Sequence, residues 1–172
     1  MPRSDVLRVV VHTVGRTRER GWETLAASEY ATRLERGRPV VRARTSFHPT
    51  GDALSRAVQE LIAPVVARAF FRYGAHHEGP GLASQVLHED GEQMGSADFA
   101  AMLWELHGKF DRVSFVIGGA DGLPPELMPA DGSTFRHISL SRMTFPHRLA
   151  RVLLLEQVFR AREIWAASHY PK

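Results

Sequence analysis

Short apolar runs of strand length alternate with longer amphipathic segments along the chain, and this alternation constrains the fold more than any other feature. The first run, Leu7–Val14, is rich in β-branched residues and ends at Gly15. A later run, Arg112–Ile117, ends in the same way at Gly118. Strands that alternate with helices form α/β domains. The pattern therefore predicts one α/β domain over residues 1–172, with helices flanking a mostly parallel sheet.

The remaining elements follow from the same periodicities. Further strands are expected at Pro39–Ser46, Ala83–His88 and Phe135–Leu140. Helices are expected at Glu19–Arg36, Asp52–Phe71, Ser96–His107 and Pro146–Ala166, with Pro64 as a kink or boundary and Ser96 as an N-cap.

Composition narrows the classes of function. The absence of cysteine excludes disulfides and thiolate metal sites and favours a reduced, cytoplasmic compartment. No apolar stretch approaches the roughly 20 residues that span a membrane, so we expect no membrane partner. Every basic residue except Lys109 and Lys172 is an arginine, which suits an RNA partner but also fits a GC-rich coding sequence. The adjacent His76 and His77 are read as polar loop residues, so no metal is expected.

Two loops that follow strand ends are candidate ligand-binding segments. The run F-V-I-G-G-A-D-G-L, Phe115–Leu123, places glycines where backbone can approach a ligand closely. The run I-S-L-S-R-M-T-F-P-H, Ile138–His147, places a polar loop before a helix that begins near Pro146. Both also have a purely structural interpretation. A tight turn needs the same glycines, and Ser141 or Thr144 could simply cap the helix.

The last helix carries apolar faces and several arginines. The residues expected to face the core are Leu149, Val152, Leu153 and Val158, and a further stripe with Leu155 and Phe159 is expected to meet a second subunit. The arginines left for solvent, a partner or RNA are Arg148, Arg151, Arg160 and Arg162.

The order of three segments resembles that of a known enzyme family. V-L-H-E-D-G-E-Q-M-G-S-A-D-F-A is followed by F-V-I-G-G-A-D-G-L and then by H-I-S-L-S-R-M-T-F-P-H-R-L-A-R-V-L-L-L-E-Q-V-F-R-A. This succession, over Val86–Ala161, resembles the bacterial ribosomal pseudouridine N3-methyltransferase family of the SPOUT class. The N-terminal T-V-G-R-T-R and the E-Y-x-x-R-L of Glu29–Leu34 are similar to the opening of that family.

This resemblance implies a fold, a cofactor and an assembly. A SPOUT domain threads its C-terminal segment into a deep trefoil knot, and two subunits pack their knots together as a homodimer. The cofactor is S-adenosyl-L-methionine (SAM), held mainly by backbone and apolar contacts. The matching positions in this chain are Leu87, Gly119, Leu140, Ser141, Arg142, Met143, Thr144 and Phe145.

The resemblance also implies a reaction. The substrate would be a pseudouridine of the 23S ribosomal RNA, methylated at N3 and presented by the assembled ribosome. The candidate catalytic residues are His147, Arg151, His169 and Tyr170, with Glu156 in the same matching motif. At the end of the first strand, Arg16 and Arg18 are expected to bind RNA phosphates.

Two regions depart from the family pattern and keep other functions open. The family tail runs histidine-proline-tyrosine-histidine, whereas this chain ends S-H-Y-P-K over Ser168–Lys172, and moving the proline changes where Tyr170 points. Residues 47–80 match poorly. The alternatives are a SPOUT methyltransferase for another RNA nucleotide, or a catalytically silent SAM- or ribosome-binding module. A nucleotide-binding α/β domain without an RNA role leaves the S-R-M-T-F-P-H segment unexplained.

Overall fold

The computed structural model describes residues 6–16, 21–60, 83–110, 112–129 and 135–170. Its strands are β1 (Val6–Val14), β2 (Val40–His48), β3 (Ala83–Gln93), β4 (Val113–Ile117) and β5 (Arg136–Ser139). They form one sheet in the order β2-β1-β4-β3-β5, and every neighbouring pair is parallel. The predicted α/β class with a mostly parallel sheet is confirmed.

The helices fall where the apolar periodicity predicted them. They are α1 (Trp22–Arg36), α2 (51–60), α3 (Ser96–Lys109) and α4 (His147–Trp165), and a short 3-10 turn covers Pro125–Leu127. The Thr50 hydroxyl accepts a hydrogen bond from the Ala53 amide at 3.2 Å, which caps the start of α2. The rest of the helix predicted for Asp52–Phe71, with Pro64, lies outside the described residues.

One face of the sheet packs against α1, α3 and α4 and holds the main hydrophobic core. Alternate residues of β1 point to this face, so Leu7, Val9 and Val11 are fully buried there. Phe115 of β4 and Leu154 of α4 are also fully buried in the same cluster. Each such side chain contributes about 1.5–3 kcal/mol by leaving water. This core fixes α4 against the sheet.

The opposite face holds a smaller cluster of buried apolar residues. Its members are Leu54, Val58, Val86, Val116 and Leu127. Beside it the sheet carries polar side chains: His12 lies 3.2 Å (Nδ1 to Nε2) from His48 and 3.4 Å (Nε2 to Oγ) from Ser114. Burial, together with His48 and the guanidinium groups of Arg44 and Arg112, lowers the pKa of His12 to about 4. This histidine is therefore neutral at pH 7.

The third strand is longer than the sequence indicated. The predicted strand ended at His88, whereas β3 continues to Gln93 through a bulge in which both Leu87 and Glu92 pair with Ile138. A side chain at Gly91 would place its Cβ 2.6 Å from the Ile138 carbonyl carbon. The bulge therefore requires glycine at position 91.

The prediction that Ser96 caps α3 is wrong. The capping position is Gly95, and Ser96 is the first helical residue. Its hydroxyl instead donates a hydrogen bond to Gln157 Oε1 at 2.7 Å, which joins α3 to α4. A short sequence window contains no information about Gln157, which lies 61 residues further along the chain.

The last helix also differs from the prediction in which residues it buries. Leu155 and Phe159, expected at a second subunit, lie in this chain's own core. Arg151 and Arg162, expected to remain for solvent, a partner or RNA, are 2% and 6% exposed. Val152 and Val158 are buried as predicted. Leu149 and Leu153 are only half-buried.

The trefoil knot stays a prediction. The connection that enters β5 runs through residues 130–134, which lie outside the described residues. The single domain over residues 1–172 likewise remains an expectation, because the described elements cover only part of that range.

Candidate functional site

A large cavity lies at the carboxyl ends of β4 and β5, where open α/β sheets bind their ligands, and beside the bulge of β3. Its volume is about 990 Å³, at the upper end of the range for small-molecule sites. The loops that follow β4 and β5 line it, together with residues 87–89 of β3 and the start of α4. The residues of this strand-end cavity are Leu87, His88, Glu89, Ile117, Gly118, Gly119, Ala120, Asp121, Gly122, Leu123, Pro125, Met128, Leu140, Ser141, Met143, Thr144, Phe145, Pro146, His147 and Ala150.

The glycine-rich loop after β4 folds back on itself. Gly119 and Gly122 exchange two backbone hydrogen bonds of 3.0 and 3.1 Å, and Gly122 has a φ of +83°. A Cβ at Gly118 would lie 2.6 Å from the Gly122 backbone, and one at Gly119 would lie 2.9 Å from the Val14 side chain. The turn and its packing on β1 thus require these glycines whether or not a ligand is present.

The loop after β5 is held by two serines. Ser139 Oγ donates to the Ser141 carbonyl at 2.8 Å, and the Met143 amide donates to Ser141 Oγ at 3.0 Å. The described residues show no side-chain cap on α4, so neither Ser141 nor Thr144 has the capping role that the sequence left open. The serine bonds instead fix the path of a loop whose Met143 side chain is 72% exposed.

The amino end of α4 opens on the cavity. Pro146 precedes the helix, His147 is its first residue, and both line the cavity. The first turn of α4 contains no acidic residue. The first backbone amides of a helix lack partners within the helix and carry partial positive charge. This end of the cavity therefore favours an anionic group such as a carboxylate.

Two exposed carboxylates line the cavity, and neither was among the predicted site residues. Glu89 lies in the bulge of β3, two residues after Leu87, and Asp121 lies in the glycine-rich loop; both side chains are exposed. His88 is half-buried beside Glu89. The rule that ligands lie at strand carboxyl ends could have identified Asp121, which follows β4, whereas the bulge that brings Glu89 to the cavity was not predicted.

The structure brings together most of the predicted SAM-contact positions. All of them line the cavity except Arg142, which is exposed in the same loop. His147 lines it as well.

The other predicted catalytic residues lie elsewhere within one chain. Arg151 is buried in a second cavity of about 240 Å³ between α1, β2 and α4. There its guanidinium lies 5.0 Å from the Phe47 ring centroid and donates to Thr24 Oγ1 at 3.5 Å.

The C-terminal tail packs beside the far half of α4. The Tyr170 ring meets Phe159 edge-on at 5.0 Å and lies 5.1 Å from the Arg160 guanidinium, whereas His169 is exposed. Burial, with Tyr170 nearby, raises the pKa of Tyr30. Phe159 is about 18 Å along the helix axis from His147. Tyr170 therefore does not approach the cavity of its own chain.

Of the two predicted RNA-binding arginines, one can be placed. Arg16 is exposed just after β1, next to Gly15, whose amide donates to the His48 carbonyl at 2.9 Å. It lies at the same edge of the sheet as the strand-end cavity but does not line it. Arg18 lies outside the described residues.

Two features are absent from the described part of the chain. None of the helices found there is long and apolar enough to cross a membrane. Within the same residues, no cluster of three or more histidine or carboxylate side chains could hold a metal ion. His76 and His77 fall outside that range.

Comparison with known proteins identifies the family to which the chain belongs. Residues 7–170 match the sequence model of the family described as "Predicted SPOUT methyltransferase". The chain is 35% identical over 170 residues to the ribosomal RNA large subunit methyltransferase H of Paracoccus denitrificans, covering 95% of this chain and 98% of that protein. It is 33% identical over 166 residues to the protein of the same name from Sorangium cellulosum, covering 95% and 99%. The chain belongs to the SPOUT methyltransferase family, among the ribosomal RNA large subunit methyltransferases H.

Other similarities are more local. A match of 50% identity to the methyltransferase H of Parasynechococcus marenigrum covers 49% of this chain, and the chain spans 56% of that relative's length. A Legionella pneumophila protein solved with bound SAM superposes with a TM-score of 0.45 at 12% identity, over 90% of this chain and 66% of that one. The family assignment does not depend on this superposition.

The residues of the cavity fit a SAM-sized molecule. The lining combines apolar side chains such as Leu87, Leu140 and Phe145 with the carboxylates Glu89 and Asp121. SAM has a flat adenine, whose faces pack on apolar side chains, and a methionine tail that carries both an ammonium and a carboxylate. The apolar walls suit the adenine, and the acidic groups together with the helix amino end suit the two charges of the tail.

Proposed function

We propose that this protein transfers a methyl group from SAM to N3 of a pseudouridine in the 23S ribosomal RNA of the large subunit. The observation that carries the proposal is the strand-end cavity, which gathers the family's motif positions around one space large enough for the cofactor. SAM supplies an electrophilic methyl group on its sulfonium sulfur. The protein's task is then to hold the cofactor and the nucleobase in line.

The cofactor would be held mainly by the loops after β4 and β5. Leu140 and Phe145 supply apolar surface for the adenine, and the backbone of Gly119 in the glycine-rich loop lines the same cavity. Asp121 and Glu89 are placed to attract the ammonium group, while the amino end of α4 attracts the carboxylate. Arg142 projects from the same loop without lining the cavity, so we assign it to the RNA side rather than to SAM.

His147 is the cavity residue best placed to handle the N3 proton. A neutral imidazole can accept a proton or hold it by a hydrogen bond, and such positioned groups contribute about 10²–10⁴ in rate. His147 starts α4, so its backbone is held by a helix that the main core fixes. Arg151 lies in the neighbouring cavity one helical turn further along, and it acts on the site by positioning α4 against Phe47.

The functional form would be a homodimer. His169 and Tyr170 stay with the far half of α4 in one chain, so they can reach a strand-end cavity only if it belongs to a second copy. Trp22 and Leu25, three residues apart on α1, are 61% and 74% exposed, so they offer apolar surface that a second copy could cover. The α1 helix packs against α4, so this surface lies close to the helix that carries His147.

The RNA would be presented by the assembled ribosome in the cytoplasm. Methylation of a looped-out base requires contacts to the flanking phosphates, which depend on charge and therefore on salt. Arg16 follows β1 at the edge of the sheet where the strand-end cavity lies, and we assign it to these phosphates together with Arg18, two residues further along the sequence. The exposure of Arg16 supports this assignment.

Cofactor binding can be tested with a matched pair of phenylalanines. Phe145 and Phe135 are both half-buried, but only Phe145 lines the cavity. Phe145→Ala should weaken SAM binding in a calorimetric titration by about tenfold or more, because it removes apolar contact area. Phe135→Ala should leave the dissociation constant within about threefold of wild type. Equal weakening in both variants would contradict a SAM site in this cavity.

Methyl transfer is tested with large subunits that lack the modification. His147→Gln keeps a hydrogen-bonding side chain but removes the proton acceptor, so kcat should fall by about 100-fold. The fall in SAM affinity should be much smaller. An unchanged kcat would remove His147 from the reaction, and wild-type protein that binds SAM without transferring methyl would favour the catalytically silent alternative.

A further inference from the structure

The polar face of the sheet carries a line of arginines at the beginning of three adjacent strands. Arg8 of β1 pairs directly with Arg42 of β2. Arg112 immediately precedes β4, whose first residue pairs with Val9. Because neighbouring strands lie about 4.8 Å apart, these three side chains span about 10 Å across the sheet. Arg44, two residues beyond Arg42, projects from the same side of β2.

Their orientation follows from the alternation along each strand. Val9 and Val41 point into the main core, so Arg8 and Arg42 point to the other face, where both are exposed. The charges of Arg44 and Arg112 contribute to lowering the pKa of His12, after burial and the effect of His48. The alternation along the strands places both on the same face as His12, because Arg44 lies two residues after Arg42 and Arg112 precedes Val113, which points into the main core. We call Arg8, Arg42, Arg44 and Arg112 the arginine row.

The arginine row has no compensating negative charge on its strands. No aspartate or glutamate occurs within β1, β2 or β4. In the described part of the chain, no ion pair involves any of the four arginines. Like charges placed opposite each other on neighbouring strands are destabilising. An anion bound across the row would relieve this repulsion.

We propose that the arginine row binds the phosphate backbone of the ribosomal RNA beside the target nucleotide. The inference rests on the proposed function and adds a second RNA contact to it. Arginine presents a planar fork of donors that matches phosphate oxygens. Gly119, which lines the strand-end cavity, packs on Val14 at the end of β1. The distance along β1 from Arg8 to Val14 is about 20 Å. An RNA strand leaving the strand-end cavity reaches the row within a few nucleotides.

The test uses the salt dependence of binding to large subunits that lack the modification. Each lost phosphate contact lowers the slope of log K against log salt by about 0.7–0.9. Arg8→Gln/Arg42→Gln should therefore lower this slope by about 1.4–1.8 between about 50 and 200 mM salt. The matched control is Lys109→Gln/Arg136→Gln. It removes the same charge from α3 and from β5 at the far edge of the sheet, where both residues form exposed ion pairs.

The outcomes separate this inference from the proposed function. A reduced slope in the arginine double variant alone supports the arginine row. A slope equal to that of wild type or of the control would overturn it, as would a wild-type protein that does not bind the subunits. Methyl transfer by wild-type protein is measured on the same preparations. If transfer is absent, the proposed function fails, whereas the salt slopes still decide whether the row binds RNA.

Discussion

The two faces of the sheet differ in what covers them. Among the described residues, α1, α3 and α4 bury a cluster of 21 residues on one face, including Leu103 and Leu154. On the other face, where α2 packs, the described residues bury a cluster of five beside His12 and the arginine row. Within this part of the chain, apolar side chains therefore dominate the first face, whereas the second face also carries polar and charged side chains.

The largest expected effect compares one fully buried leucine on each face. Leu154→Ala in the main core should lower the free energy of unfolding by about 4–5 kcal/mol, because its surroundings are held by three helices and cannot collapse. Leu54→Ala in the small cluster should cost about 2–3 kcal/mol. Chemical denaturation at a fixed protein concentration measures both. A larger loss of unfolding free energy in Leu54→Ala than in Leu154→Ala would contradict this difference between the two faces.

Removal of a buried arginine should have the next largest effect. Arg162 Nη1 donates to the Arg33 carbonyl at 2.8 Å, and its other nitrogen pairs with Glu163. Arg162→Ala removes the cation that pairs with this carboxylate, which keeps only its hydrogen bond from the Ser168 hydroxyl, and should cost about 3 kcal/mol of unfolding free energy. Arg33→Ala, which removes an exposed ion pair with Glu29, is the control and should change little. Similar midpoints for both variants in a denaturant titration would show that Arg162 is not anchored as described.

The polar face should make stability depend on pH. Because burial lowers the pKa of His12 to about 4, the unfolded chain binds a proton near pH 6.5 that the folded chain does not bind. The folded state is therefore favoured above pH 6.5 and loses this advantage as pH falls towards 4. Over that range the free energy of unfolding decreases by up to about 3 kcal/mol. His12→Gln should reduce the loss of unfolding free energy between pH 7 and pH 4.5, measured in parallel with wild type. Identical pH profiles would contradict a buried, neutral His12.

The smallest effect on folding is expected on the outer surface of α1. Trp22→Ala/Leu25→Ala changes two exposed side chains, so the stability of one chain should change by less than about 0.5 kcal/mol. The same variant should dissociate the proposed homodimer in sedimentation equilibrium. Glu105→Ala/Lys109→Ala, a double change at an exposed ion pair of α3, is the control and should stay dimeric. A wild-type monomer, or a double variant that remains dimeric, would exclude this surface as the interface.

Local sequence patterns predicted the strands and helices of the described residues, apart from the extension of β3 to Gln93, and the two loops that line the cavity. The β-branched run of Leu7–Val14 and the glycines after Ile117 are local signals, and both strands end where these signals predict. The carboxyl ends of parallel strands meet at one edge of the sheet. The loops after β4 and β5 could therefore be placed together before the strand order was known.

Interactions between distant segments could not be predicted in this way. The burial of Arg162 depends on Gly37, because a Cβ there would collide with its guanidinium. The arginine row exists only because β4 is inserted beside β1, which brings Arg112 next to Arg8. Neither relation leaves a periodic signal in the sequence, since each depends on which elements become neighbours in the fold.

The proposed transfer of methyl to N3 of a pseudouridine is tested by mapping the nucleotide that receives the methyl group. Large subunits without the modification are incubated with wild-type protein and isotopically labelled SAM, and the ribosomal RNA is digested and analysed by mass spectrometry. We expect label on N3 of a single pseudouridine of the 23S ribosomal RNA, and we expect much less label with the His147→Gln variant. Label on a different nucleotide, or no label despite measurable SAM binding, would contradict it.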